Sequence, residues 1–272
     1  MLGSFASRFC GSADIYTKPG KGPAGSINFI TCHDGFTLAD LVSYAAKHNQ
    51  ANGENDQDGS NNNFSSNYGF EGSTPDAGIE AFRKRQIKNF LLTLFISRGI
   101  PMILGGDEIR RTQGGNNNAY CQDNETSWMD WSRLDQHQEI FRFTQGMIAF
   151  RAAHPVLSKE KFYENEDIHW FGPQGGTPHW VDPRCQQVAC LIPENDQESL
   201  FLIFNAGKQA VDFALPSLGE EHRWSLFVDT FLPSPNDMAV PGKETPLKYP
   251  KSYLVESRSS VILRATKTKQ GA

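Results

Sequence analysis

No run of apolar residues in this 272-residue sequence approaches the roughly 18 that a membrane-crossing helix needs, and the mean hydropathy is low, at -0.49. No Cys-x-x-Cys pair is present. The five cysteines, Cys10, Cys32, Cys121, Cys185 and Cys190, stand apart, which excludes the usual zinc and thioredoxin-like spacings. There is no basic excess either: 26 Lys and Arg face 31 Asp and Glu, for a net charge of -5. Basic residues cluster only briefly, as at Arg83-Lys84-Arg85 and Arg110-Arg111. This balance argues against nucleic acid or an anionic membrane as the main partner. Phosphate loops, dinucleotide fingerprints and metal-binding loops are missing, so no cofactor and no metal are expected. The opening Met1-Leu2-Gly3-Ser4-Phe5 lacks the basic and long apolar regions of a secretion signal. With an odd cysteine count, we expect reduced thiols and a cytoplasmic location.

Hydrophobic residues make up 38% of the chain, enough for a core in one large domain or two ordinary ones. The pattern changes near residue 155. Before it, strand, polar loop and helix alternate. Residues 26–32 read as a buried strand ending at His33-Asp34-Gly35. Thr37-Leu38-Ala39-Asp40 has capping-box spacing and starts a helix expected to run to about residue 48. Residues 49–78 are rich in Asn, Gly, Ser and Asp, and a loop of that length is usually functional or disordered. Helical spacing then returns from Ile79 to Phe95 and near 138–153. Between these helices, residues 101–104 read as a second buried strand ending at Asp107-Glu108.

From about residue 168 the reading is strands and turns, with candidates at 187–192, 200–204, 212–215, 224–229 and 260–264. No helix-length apolar pattern intervenes, so an antiparallel β-sandwich is expected. Cys185 and Cys190 could share one of its strands. The first half has the grammar of a (β/α) barrel, but a whole barrel needs eight strands over about 250 residues. A small open α/β sheet is the competing reading.

Three segments carry a family resemblance. Phe29-Ile30-Thr31-Cys32-His33-Asp34-Gly35-Phe36-Thr37-Leu38 resembles the last catalytic segment of the α-amylase superfamily in its isoamylase and glycogen-debranching form. Lys47-His48-Asn49-Gln50-Ala51-Asn52-Gly53-Glu54-Asn55 is similar to the loop that follows in that branch. Gly114-Gly115-Asn116-Asn117-Asn118-Ala119-Tyr120-Cys121-Gln122-Asp123-Asn124-Glu125, then Trp128 to Trp131, resembles the segment after its eighth barrel strand.

The resemblance implies an α/β fold. Residues 1–155 would be the C-terminal part of a (β/α)8 TIM barrel, and residues 156–272 an all-β antiparallel sandwich domain. It also implies a retaining glycoside hydrolase that cuts α-1,6 branch links in glycogen or related α-glucans. The nucleophile and general acid of that branch stand on earlier barrel strands, before this sequence begins, so the chain alone is expected to be inactive. Asp34 matches the third acidic residue, a transition-state stabiliser, and His33 a neighbour that bonds the same sugar. The bland reading is that Asp34 caps the next helix and His33 is structural.

Asn118 and Tyr120 are substrate-binding candidates, since amides bond hydroxyls and rings pack on pyranose faces. The alternative for both is loop scaffolding. Asp107 and Glu108 are expected to anchor a loop, and Trp128 and Trp131 to bury themselves beneath one. The partner implied is glycogen or a branched α-glucan. Two further readings are a non-catalytic α-glucan-binding protein and a partner chain completing a split barrel.

Overall fold

The computed structural model describes residues 2–18, 20–217, 219 and 221–267. In chain order the helices are α1 (Leu2–Phe9), α2 (Ala13–Tyr16), α3 (Leu38–Leu41), α4 (Ala77–Ile96), α5 (Arg133–Gln136) and α6 (Gln138–Ala153). The strands are β1 (Ile27–Asn28), β2 (Ile100–Pro101), β3 (His169–Phe171), β4 (Gln187–Asn195), β5 (Glu198–Asn205), β6 (Val211–Ala214), β7 (His222–Asp229), β8 (Thr245–Pro246), β9 (Ser252–Val255) and β10 (Ser259–Lys267). The chain forms two compact units. One comprises Met1–Ser26, Ile96–Ile100 and Phe150–Ala272; the other, Ile27–Phe95 and Pro101–Ala149.

The first unit is an antiparallel sandwich. Its large sheet has the strand order β3-β4-β5-β10-β7-β8, and β6 pairs with β9 in a small one. Side chains two apart share a face of a strand. Phe201 and Ile203 of β5, with Val261, Leu263 and Ala265 of β10, therefore point the same way, and they meet Phe213 and Val255 of the small sheet in one dry cluster. The opposite face of β5 is covered by α1, where Phe5 lies 5.0 Å from the Phe204 ring and Phe9 lies 5.8 Å from Trp170. Fully burying a ring such as that of Phe9, 2% exposed, contributes roughly 2–3 kcal/mol. Arg98 is 1% exposed. Its guanidinium donates to the carbonyls of Val156 (2.6 Å) and Lys159 (3.3 Å) and lies 3.6 Å from the Tyr163 ring centroid. The strand-poor segment after α6 thus finds partners for carbonyls that no ladder satisfies.

In the second unit, Asp76 caps α4: its Oδ1 accepts the N–H groups of Gly78 (2.8 Å) and Ile79 (3.0 Å). Ile87, Leu91, Leu94 and Phe95 are buried along α4, and Ile140, Phe143 and Met147 along α6, at helical spacing. Lys84 pairs with Glu139 at 2.5 Å.

Several expectations are corrected. Residues 26–32 do not form a buried strand: only Ile27 and Asn28 are in extended pairing, while Ile27 is 57% and Phe29 52% exposed. The second strand is equally short, and Met102 is 38% exposed. Each finds a hydrogen-bonding neighbour on one side, as where Met102 N–H donates to Asn28 O at 2.8 Å. The helix after Thr37 stops at Leu41. The Leu41 and Ser43 carbonyls accept instead from Ser66 N–H (3.0 Å) and Gly72 N–H (2.8 Å), so the incoming loop competes with the next helical turn. Cys190 is buried in β4, but Cys185 precedes the strand.

Candidate active site

The segment carrying His33 and Asp34 is held at both flanks by one carboxylate. Asp107, 2% exposed, accepts the Thr31 hydroxyl and, at 2.9 Å, the Leu38 N–H. Thr37 caps α3, its hydroxyl oxygen accepting Asp40 N–H at 3.2 Å. Gly35, at φ 92°, donates its N–H to Asn117 O at 3.0 Å. The bland reading of Asp34 as the helix cap is therefore overturned, because Thr37 fills that role. His33 and Asp34 side chains stand 87% and 81% exposed, with Nε2 and Oδ2 3.5 Å apart. Among the described residues only the His33 imidazole pairs with the Asp34 carboxylate, whose oxygens otherwise face solvent.

Burial pushes the Asp107 carboxyl up to about 6, against the pull of its two hydrogen bonds. An acid whose pKa rises on folding binds more protons in the native state between the two values, so its contribution to stability falls as pH rises through that window. We expect the melting temperature of the unaltered chain to fall relative to that of Asp107→Asn between pH 4 and pH 7. The relative loss should be roughly 2–3 kcal/mol for a shift of this size. Parallel pH–melting curves for the two proteins would remove this account.

The loop residues 49–71 and the asparagine run 116–118 are ordered by an amide lattice. Asn49 and Asn117 exchange bonds: Asn49 Nδ2 donates to Asn117 Oδ1 (2.9 Å), and Asn117 N–H to Asn49 Oδ1 (3.0 Å). Asp58 Oδ2 accepts from Asn52 (2.7 Å) and Asn118 (2.9 Å), and these two bonds hold its carboxyl below the usual range. Gly59 must be glycine here: at φ 70°, a Cβ would lie 2.2 Å from Asn117 Oδ1. Glu71 accepts Ala45 N–H (2.9 Å), His48 (2.9 Å) and Asn67 (2.8 Å). Its carboxyl lies at about 2, held there by these bonds although burial alone would raise it. Side-chain amides thus order the long polar loop without regular structure.

His33, Asp34, Asn118 and Tyr120 line one cleft of about 250 Å³, together with Arg111 and Gln113. The structure brings all four sequence candidates together, and Asp34 is the one carboxylate among the lining residues. Tyr120 is 76% exposed, its hydroxyl 3.4 Å from Glu54 Oε1. Asn118 shares both readings, since its amide donates to Asp58 while the residue still faces the cleft. Trp128 and Trp131 are not buried as expected but 60% and 69% exposed. Trp128 swings out to donate its indole N–H to Asp123 at 3.0 Å. Sequence reading missed the frame of Asn49, Asn52, Asp58 and Asn117; the run of three asparagines at 116–118 was the available signal.

Residues 169–263 match the family described as Isoamylase 1-3, C-terminal. The chain is 42% identical to a glycogen operon protein GlgX homolog of Mycobacterium tuberculosis, over 97% of this chain and 39% of that protein. It is 39% identical to chloroplastic isoamylase 1 of Arabidopsis thaliana, over 96% of this chain and 34% of that one. Among solved structures, pullulanase from Anoxybacillus, complexed with maltotetraose, aligns with a TM-score of 0.66 at 16% identity, covering 95% of this chain and 30% of that one. The chain thus spans between about a third and two fifths of the length of the curated relatives it matches, and the pullulanase likeness is one of fold. No described helix is long and apolar enough to cross a membrane.

Proposed function

We propose that this chain, similar over residues 169–263 to the isoamylase 1-3 C-terminal family and along its length to GlgX and isoamylase relatives, belongs to the isoamylase branch of the α-amylase superfamily and supplies the sugar-gripping face of an enzyme hydrolysing α-1,6 branch links in glycogen or a related α-glucan. The observation that carries this reading is the cleft itself. An exposed carboxylate, an imidazole, an amide and an aromatic ring converge there on one volume. Asp34 accepts two sugar hydroxyls and holds the ring as it flattens toward an oxocarbenium ion; charge-assisted bonds of this kind are about twice as strong as neutral ones. His33 bonds the same sugar, Asn118 a hydroxyl further along, and Tyr120 packs on a pyranose face.

In this reading the second unit is the closing segment of a (β/α)8 barrel, with the site at the C-terminal ends of its strands. The cytoplasm is where such an enzyme would meet glycogen. The decisive test is Asp34→Asn within the longer enzyme. A milder one is Tyr120→Ala there, which should raise KM several-fold with kcat nearly unchanged. That is the roughly 1 kcal/mol of an aromatic face contact, lost equally from ground and transition states. An unchanged KM would return Tyr120 to loop scaffolding.

A further inference from the structure

Away from that cleft, in the first unit, the last turn of α6 meets the β4–β5 hairpin at a cluster of charges. His154 follows α6 and is 4% exposed. Its Nδ1 lies 2.7 Å from Phe150 O. A carbonyl can only accept, so Nδ1 carries the proton and Nε2 is aimed away from the helix. Nε2 lies 3.4 Å from Glu198 Oε1 and 3.7 Å from Glu194 Oε2. The ligand atoms of all three residues fall within 4.8 Å of one another.

Three features distinguish this group from an ordinary ion pair. First, Glu194 sits at a break in the β4–β5 register, between Pro193 and Asn195. A bulge re-aims its side chain, here toward His154. Second, the Glu194 side chain is 10% exposed, and its Oε2 accepts no hydrogen bond. A buried carboxylate oxygen with no donor is costly unless something else meets it. Third, charge does not balance. Glu198 accepts Arg264 Nε at 2.6 Å, and Arg264 also pairs with Glu244. Glu194 pairs with His154 and not with this guanidinium, so with His154 neutral the three carboxylates and the one guanidinium leave two negative charges.

We propose that His154, Glu194 and Glu198 form a zinc site. Zn²⁺ takes imidazole and carboxylate ligands at about 2.0–2.2 Å, so the edges of its tetrahedron are about 3.3–3.6 Å long. The two measured edges, 3.4 and 3.7 Å, suit that geometry better than the 2.7–2.9 Å of a charged N–H···O bond. The Phe150 carbonyl orients the imidazole as outer partners of metal-bound histidines do, and Arg264 does the same for Glu198. Water takes the fourth position. The ion would staple the end of α6 to β4, β5 and, through Arg264, β10. This proposal is independent of the α-glucan reading.

The test is calorimetric titration of the full chain, freed of metal by chelation, with ZnCl₂ at neutral pH. One equivalent should bind with micromolar or tighter Kd and raise the melting temperature by several degrees. Glu194→Gln should weaken binding at least tenfold, while the metal-free variant melts no lower than the unaltered chain. Zinc bound through the cysteines would be insensitive to Glu194→Gln; that result, or no binding at all, overturns the proposal. Should the variant fail to fold, anomalous scattering at the zinc edge from crystals of the unaltered chain decides. A peak between Nε2 and the two carboxylates is expected, and a peak elsewhere or none refutes the site.

Discussion

Purified as it stands, this chain should release no reducing sugar from glycogen above a heat-treated control. A retaining glycosidase needs a carboxylate nucleophile and a carboxylic acid about 5 Å apart, and the cleft offers Asp34 alone. Neither acid near the following loop can complete the pair. Asp107 is buried with both oxygens bonded to Thr31 and Leu38, and Glu108 turns back to accept Gly106 N–H at 2.9 Å. Removing the members of a catalytic set that act as a unit costs about a millionfold in turnover, so the expected signal is none. The assay is reducing-end release from glycogen over hours, with a debranching enzyme as positive control. Reproducible release would mean that a second carboxylate reaches the cleft in solution, and it would overturn the division of labour proposed above.

How much of this was readable in advance depended on what held each element together. The helices α4 and α6 lie close to the expected positions because their buried apolar residues recur at helical spacing, and the strands β4, β5, β7 and β10 because each is a short apolar-rich run between turn residues, buried on successive positions in β5 and β10. Elements held by neighbours were not readable. Residues 26–32 are apolar and β-branched, yet pair over two residues, since strand length is set by the partner. The turn after Thr37 looked like a long helix until the 66–72 loop took its carbonyls. The strands β3 and β9 are short, and their pairing lies far away in sequence. The expected division at 155/156 drew on a change of local pattern. Nothing in that pattern shows α1 and Arg98 grouping with the sandwich strands, which the packing of Phe5 and Phe9 and the bonds of Arg98 establish. The four candidates chosen from motif and chemistry, His33, Asp34, Asn118 and Tyr120, line one cleft. Their support was not legible, because amide lattices such as Asn49–Asn117 have no period. The same holds for His154, Glu194 and Glu198, which no spacing rule links.

Within the longer enzyme, Asp34→Asn should lower kcat by at least about a hundredfold while leaving the fold intact. The two halves of that expectation have separate grounds. Asp34 is 81% exposed and among the described residues pairs only with His33, at 3.5 Å, so the exchange removes no buried contact. A surface substitution of that kind moves stability by about 0.5 kcal/mol or less. The chemistry responds differently. Asparagine keeps one acceptor but replaces the second carboxylate oxygen with a donor, and the charge is lost. A pair of sugar hydroxyls that both donate to Asp34 then has one partner. The lost interaction grows as positive charge develops on the ring, so it belongs more to the transition state than to the bound substrate. Removing one such electrostatic contact typically costs 100- to 1,000-fold, with KM changed much less. The measurement is kcat and KM on a branched α-glucan, beside a melting curve for each protein. Near-normal turnover would strip Asp34 of its role. A collapse of both turnover and melting temperature would place it in the framework with Asp107 instead.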